Sequence, residues 1–294
     1  MINRLLFQFI AVLAATVTVT GQPGTRVGFI EFVAERINAG SKSESTSISA
    51  IRSIDKLCDI ENSVFAKRVF MEYGAMFAAN ESVKVPPFCI FDGEPTVTAF
   101  RNGLATQTLV IGAANILLQK AAADSFYKIL EEAAVQQISI VPFDGSIAGG
   151  RTYFETVRLW NSRFEPALSY WTGRGAIDSA TADAARLMPL AQQVEKVIEW
   201  ESQGQWFGPN RRTSIFSSTA PPGTSQHLAL LAIDIAPPIT PAKRALLNSH
   251  GWYQTVRGDT PHFTFLGFPE SELPKRGLKA ILMNGTIYWV PNIE

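Results

Sequence analysis

The sequence predicts an α+β fold in which helices pack on a small antiparallel sheet, preceded by a mixed amino-terminal extension. Three observations carry this expectation. Apolar residues recur near helical spacing from about Ala113 to Gln203, the composition then shifts to short β-rich runs, and Asn284-Gly285 sits between two apolar runs as a type I′ hairpin signal. Helices first and strands after is an α+β order. At 294 residues and 46% hydrophobic, the chain is long enough to bury a sizeable core. Its 26 basic and 26 acidic residues leave no net field to attract nucleic acid or an anionic membrane surface.

Taken in order, residues 1–21 read as a secretory signal: a positive start at Met1 to Arg4, an apolar run from Leu5 to Val19, and small residues at Val19 and Gly21 for cleavage before Gln22. An uncleaved anchor is the alternative, although the apolar run is short against the ~20 residues a bilayer requires. Either reading puts the body outside the cytoplasm, in the periplasm or secreted, with no stable membrane insertion after cleavage. There Cys58 and Cys89, the only two cysteines, form a plausible disulfide; two separate buried thiols are the alternative. Residues 22–112 form the extension. Within it, Ser41 to Ser49 reads as a polar linker, and Val64 to Phe100 is mixed, with a helical pattern at Phe65, Val69, Phe70 and Tyr73 beside Pro86-Pro87 and a short apolar run at Cys89 to Phe91.

The second part, 113–294, begins with helical spacing through Ile116, Leu117, Ala121, Phe126, Ile129, Leu130 and Ala133, and continues with a strand-like run from Gln137 to Phe143. After the glycine-rich turn Asp144 to Gly150, Arg151 opens a helix with an apolar face at Phe154, Val157, Trp160, Phe164 and Trp171 and a kink or end at Pro166. Ala176 to Gln203 is mainly helical with a break at Pro189. Strand-like runs follow at Thr213 to Ser218, Leu231 to Ala236, Trp252 to Val256 and His262 to Leu266.

The chemistry concentrates in these last runs. Two of the three histidines, His227 and His262, stand beside Asp234 and Asp259. A catalytic zinc site takes three protein ligands, imidazoles and a carboxylate, and His227, Asp234 and His262 supply that set. Asp259, three residues before His262, is within reach of an attacking water as general base. The bland alternative is that a histidine on a strand is simply a satisfied polar residue.

The string Ser225-Gln-His227-Leu-Ala-Leu-Leu-Ala232-Ile-Asp234, followed by Asp259-x-x-His262-Phe263, resembles the zinc peptidases of peptidoglycan stem peptides, the D-alanyl-D-alanine carboxypeptidases and L-alanyl-D-glutamate endopeptidases. Their first motif is S-x-H-x-x-G-x-A-x-D, and their second is an acid, two residues, then His. The resemblance extends over roughly 113–267, where Arg151-Thr152-Tyr153 is similar to the family's S-G-Y-R-S segment. It implies one zinc ion held by His227, Asp234 and His262, with Asp259 moving the proton and Arg151 polarising the scissile carbonyl. Ser225 would hydrogen-bond the substrate. Residue by residue, alternatives stay open: Arg151 as a salt-bridge partner with Arg211 and Arg212 as rivals, Ser225 as a turn hydroxyl, His250 as a structural residue, and Trp252 as core.

Two departures bear on function. Leu230 replaces the family glycine of the first motif, which puts the local turn in question. Asp259 stands where carboxypeptidase members commonly have Glu and resembles the endopeptidase branch, whereas secretion and the long extension resemble the carboxypeptidase branch. The implied activity is a secreted zinc-dependent peptidase on stem peptides, first a D-alanyl-D-alanine carboxypeptidase. The alternatives are an L-alanyl-D-glutamate endopeptidase, or a non-catalytic zinc-containing domain as in the hedgehog amino-terminal domain.

Overall fold

The computed structural model describes residues 28–38 and 54–293. The expected signal at 1–21 and the polar linker at 41–49 lie outside them. Among the described residues the architecture is α+β, with helices around three small antiparallel sheets. Before the first strand come α1 (Phe29–Asn38), α2 (Val64–Tyr73) and α3 (Glu94–Asn102). Ser63 caps α2 by accepting from the Ala66 amide at 3.0 Å. The Cys58–Cys89 disulfide is formed, with Cα atoms 5.2 Å apart, and both residues are buried. Among the described residues, no helix is long and apolar enough to cross a membrane.

A hairpin follows, β1 (Thr106–Ile111) with β2 (Ala114–Gln119). Ile116 and Leu117 therefore belong to a strand and not to the start of the expected helix: buried Ala114, Ile116 and Leu118 alternate with exposed Asn115 and half-buried Leu117, the period of two that a strand imposes. The expected boundary between 112 and 113 falls in the turn of this hairpin. Residues on both sides, from Phe29 to Trp289, share one hydrophobic core.

The helix α4 (Lys120–Gln136) then leads into the run at Gln137–Phe143, which makes only an isolated bridge, Pro142 to Ile235. The run is bounded by two left-handed residues, Gln137 at φ 57° and Asp144 at φ 64°, which end the extended backbone on either side. The run still flanks the site strand, since the Phe143 amide donates to Asp234 O at 2.9 Å and the Ala236 amide to Val141 O at 2.8 Å.

Next come α5 (Tyr153–Gly173), α6 (Ser179–Leu187) and α7 (Leu190–Ser202). Thr152 and Glu155 form a reciprocal capping box at the start of α5, which leaves Arg151 in the loop before the helix. Pro166 lies within α5, which continues past it to Gly173 with Ala167 and Leu168 buried. The break at Pro189 separates α6 from α7.

The run at Thr213–Ser218, expected as a strand, is a short 3-10 turn at Ile215–Ser217. It is held by the buried Glu201 carboxylate, which accepts from the Phe207 amide at 3.0 Å and the Ile215 amide at 2.7 Å. These backbone donors go to a side chain, so no strand partner is required.

The central sheet has the order β3 (Ala232–Asp234), β5 (His262–Phe265), β4 (Trp252–Tyr253), with α8 (Pro241–Ser249) between β3 and β4 in sequence. Trp252 is fully buried against Phe126 and Phe265 and serves the core. The Asn284-Gly285 turn joins β6 (Leu278–Met283) to β7 (Thr286–Pro291), and both turn residues have positive φ, 51° and 75°, as a type I′ turn requires.

Candidate metal centre

Pairing of β3 with β5 places Asp234 directly opposite His262. A short 3-10 turn, Gln226–Ala229, brings His227 to the same point. One ligand-type atom from each of the three residues lies within 4.8 Å of the others, and all three residues are buried. His227 Nε2 is 3.1 Å from His262 Nδ1 and 3.3 Å from Asp234 Oδ1, and His262 Nδ1 is 3.1 Å from the same oxygen.

The far nitrogens decide the proton positions. His227 Nδ1 is 2.7 Å from the carbonyl of Gly149, so that nitrogen carries the proton and donates it. His262 Nε2 is 2.8 Å from Gln226 Oε1. The Gln226 amide nitrogen is itself committed to Tyr73 O at 2.8 Å, which orients its oxygen toward the histidine and assigns the proton to Nε2. His227 Nε2, His262 Nδ1 and an Asp234 oxygen thus face one another as acceptors, with no proton among them. Three buried acceptors at this separation repel unless a cation lies between them. The donor set therefore fits a metal ion.

Charge in the surroundings is consistent with this. Burial pushes the His227 imidazole down to about 4, with Arg151 adding to the effect and Asp234 opposing it, so the ring is neutral at physiological pH. Burial alone would raise Asp234, but the Arg151 guanidinium beside it holds its carboxyl well below the usual range. Its second oxygen, Oδ2, accepts a charge-assisted hydrogen bond from Arg151 Nη2.

Arg151 is thereby a salt-bridge partner and a cleft residue together. Its Nε donates to Ile147 O at 2.8 Å, and among the described residues its Nη1 has no protein acceptor. Asp259 and Ser225 line the same cleft as His227 and His262, and Ser225 is buried. Burial, with the like charge of Asp234, pushes Asp259 up to about 6, while His262, Arg151 and Arg163 pull the other way.

Arg211 and Arg212 do not line the cleft; Arg211 Nη1 donates to Gly208 O at 2.6 Å. His250 is outside it as well, with Nε2 3.0 Å from Glu132 Oε1 and its carbonyl accepting from Ser125, a structural role.

Three residues outside the sequence expectation hold the site. Gln226 fixes His262, and its Oε1 also accepts from the Thr264 hydroxyl. Arg101, from α3 in the extension, donates through Nε to Leu228 O at 3.0 Å and through Nη2 to Arg151 O at 2.6 Å and His227 O at 3.1 Å. One guanidinium thus gathers the backbone of both site loops. The extension closes on the site again at Gly223, whose carbonyl accepts from the Phe91 amide at 2.8 Å. Gly223 has φ 83°, and a Cβ there would collide with the Phe91 backbone, so only glycine suits this contact. Gln226 sits inside the S-x-H motif at its variable position, which is the one signal that could have drawn attention to it. Arg101 carries no local signal.

Leu230, where the resemblance expects glycine, adopts φ 58° and ψ 33°, the left-handed region glycine favours, with its side chain fully buried. The turn keeps the glycine-like backbone despite the bulkier residue. No protein-family model matches the chain, and no curated protein matches it.

Proposed function

We propose that the protein is a secreted zinc-dependent peptidase that hydrolyses peptidoglycan stem peptides, with D-alanyl-D-alanine carboxypeptidase as the first reading. The observation that carries it is the convergence of His227 Nε2, His262 Nδ1 and Asp234 Oδ1 beside a cleft that also holds Asp259 and Arg151. Two imidazoles and one carboxylate form a ligand set typical of catalytic zinc. The paired motifs around His227 and His262 supply the substrate class by resemblance. The Cys58–Cys89 disulfide is compatible with a location outside the cytoplasm.

A bound zinc ion would supply Lewis acidity toward a peptide carbonyl and make water acidic enough to deprotonate near neutral pH. The chain's own residues supply the rest. His227 and His262 are held as lone-pair donors by Gly149 O and Gln226 Oε1, so little reorganisation accompanies loading. Asp259, with its carboxyl raised toward neutrality, accepts the proton of the attacking water and returns it to the leaving amine. Arg151, anchored through Nε and Nη2, offers Nη1 to the carbonyl oxygen as negative charge develops there. Ser225 contributes a polar wall for the substrate backbone.

The Asp259-Thr-Pro-His262-Phe263 string favours a second reading, L-alanyl-D-glutamate endopeptidase on the same machinery. Loading His227→Ala, His262→Ala and Asp259→Ala variants with zinc tests the assignment of roles. The histidine variants should lose both metal and hydrolysis, whereas Asp259→Ala should keep the metal and lose hydrolysis. Undiminished hydrolysis by Asp259→Ala would remove the general-base reading.

A further inference from the structure

A second cationic side chain stands in the cleft with no carboxylate partner among the described residues. Arg163 lies on α5, one turn beyond Leu159, and both line the cleft with His227, Asp259 and Arg151. Its Nε is buried and has no hydrogen-bond partner. Among the described residues, its side chain makes one hydrogen bond, from Nη1 to the hydroxyl of the adjacent Ser162 at 3.2 Å. Among the described residues, no carboxylate pairs with it, although its charge reaches Asp259 through space. Arg151, by contrast, is engaged by Asp234 and Ile147 O.

A guanidinium with a buried, unsatisfied N–H costs stability unless an acceptor arrives, and its planar fork matches a carboxylate with two parallel hydrogen bonds. With Asp234 committed to Arg151, Arg163 keeps a guanidinium in the cleft that no carboxylate among the described residues engages directly. Nearby, the Ser218 and Thr219 positions give the wall a polar character suited to a hydrated anion.

From this geometry we infer that Arg163 is a specificity residue, binding a carboxylate of the peptide substrate and setting which peptides enter. The inference rests on the peptidase reading above and names the group on the substrate that the cleft selects. Two sources share that chemistry: a carboxy-terminal carboxylate beyond the scissile bond, and the α-carboxylate of a γ-linked D-glutamate beside it.

The test uses the zinc-loaded full chain with two peptide pairs. One is diacetyl-L-Lys-D-Ala-D-Ala and its carboxy-terminal amide; the other is an L-Ala-γ-D-Glu-L-Lys peptide with its α-carboxylate free or amidated. In one pair, the wild type should cleave the acid with kcat/KM at least about tenfold above the amide, mainly through KM. Arg163→Gln should bring that ratio close to one, and Arg163→Lys should restore part of it by keeping the charge without the fork. The pair showing the preference identifies the carboxylate.

A wild-type ratio near one in both pairs overturns the inference without any variant, as does an Arg163→Gln protein that keeps the wild-type ratio. If no peptide is cleaved, the peptidase reading fails by itself. Calorimetric titration of the same peptides then decides: tighter binding of the acid by wild type but not by Arg163→Gln supports Arg163, and equal binding overturns it.

Discussion

His227 Nε2 and His262 Nδ1 lie 3.1 Å apart, each with its proton on the opposite side of its ring. That relationship makes Gln226 a control point. Gln226→Met keeps the bulk but removes the acceptor, so His262 loses the bond that holds its tautomer. Zinc affinity, measured by chelator competition, should fall about 10- to 100-fold. Gln226→Glu, which retains an acceptor oxygen, should fall less. Equal affinity for Met and wild type would show that the tautomer is set elsewhere.

Asp259 carries a pH signature. Its carboxyl is raised from 3.8 to about 6 by burial and by Asp234, so the folded chain holds that proton more tightly than the unfolded chain does. The associated stability is fully present below the unfolded value and is lost as pH rises through the folded value. Asparagine imitates the protonated form. Metal-free Asp259→Asn should therefore be more stable than wild type by about 3 kcal/mol above neutrality, and the two should converge below about pH 4. Denaturant midpoints at the two pH values measure this, and a constant difference between them would contradict it.

Arg101 should matter to the site although it lies far from it in sequence. Arg101→Ala strips donors from the carbonyls of Leu228, Arg151 and His227. A loss of about 2–4 kcal/mol in unfolding free energy is expected, with Arg101→Lys recovering only part because a point charge cannot span three acceptors. Weakened zinc binding should accompany it. Unchanged values in both measurements would mean that the site loops stand without the extension.

Much of the centre was legible because metal chemistry restricts residue type, and a three-histidine chain leaves few choices. The spacing allowed a strand to bring His262 alongside Asp234 without fixing the register that sets them opposite, whereas the Asn284-Gly285 turn follows from backbone sterics. Contacts that depend on tertiary approach were not legible: Arg101 reaches the site across 126 residues of sequence to His227 O, and no local pattern encodes that. The run 114–119 shows the ambiguity of short apolar segments, since strand pairing with β1 decided its period and helical spacing did not. Gln137–Phe143 reads as a strand, and its extended backbone makes a single bridge before Asp144 turns left-handed. Leu230 is the converse case, a residue disfavoured at positive φ that holds the turn because its side chain is fully buried.

The Cys58–Cys89 bond closes a loop with a sequence separation of 31. Replacing both cysteines by alanine should lower unfolding free energy by roughly 3 to 4 kcal/mol on the chain-entropy account. Because the Cys89 amide donates to Leu57 O and the Phe91 amide to Gly223 O, the loss should extend to the loop carrying Ser225. Hydrogen exchange at that loop in the double variant checks this, and unchanged protection would confine the bond's effect to the extension.

The most direct measurement is digestion of defined muropeptides by the zinc-loaded protein, with the products weighed by mass spectrometry. The account predicts release of a terminal D-alanine that chelation abolishes and zinc restores, or cleavage after L-alanine if the endopeptidase reading holds. Intact muropeptides, from folded protein carrying one equivalent of zinc, would contradict it.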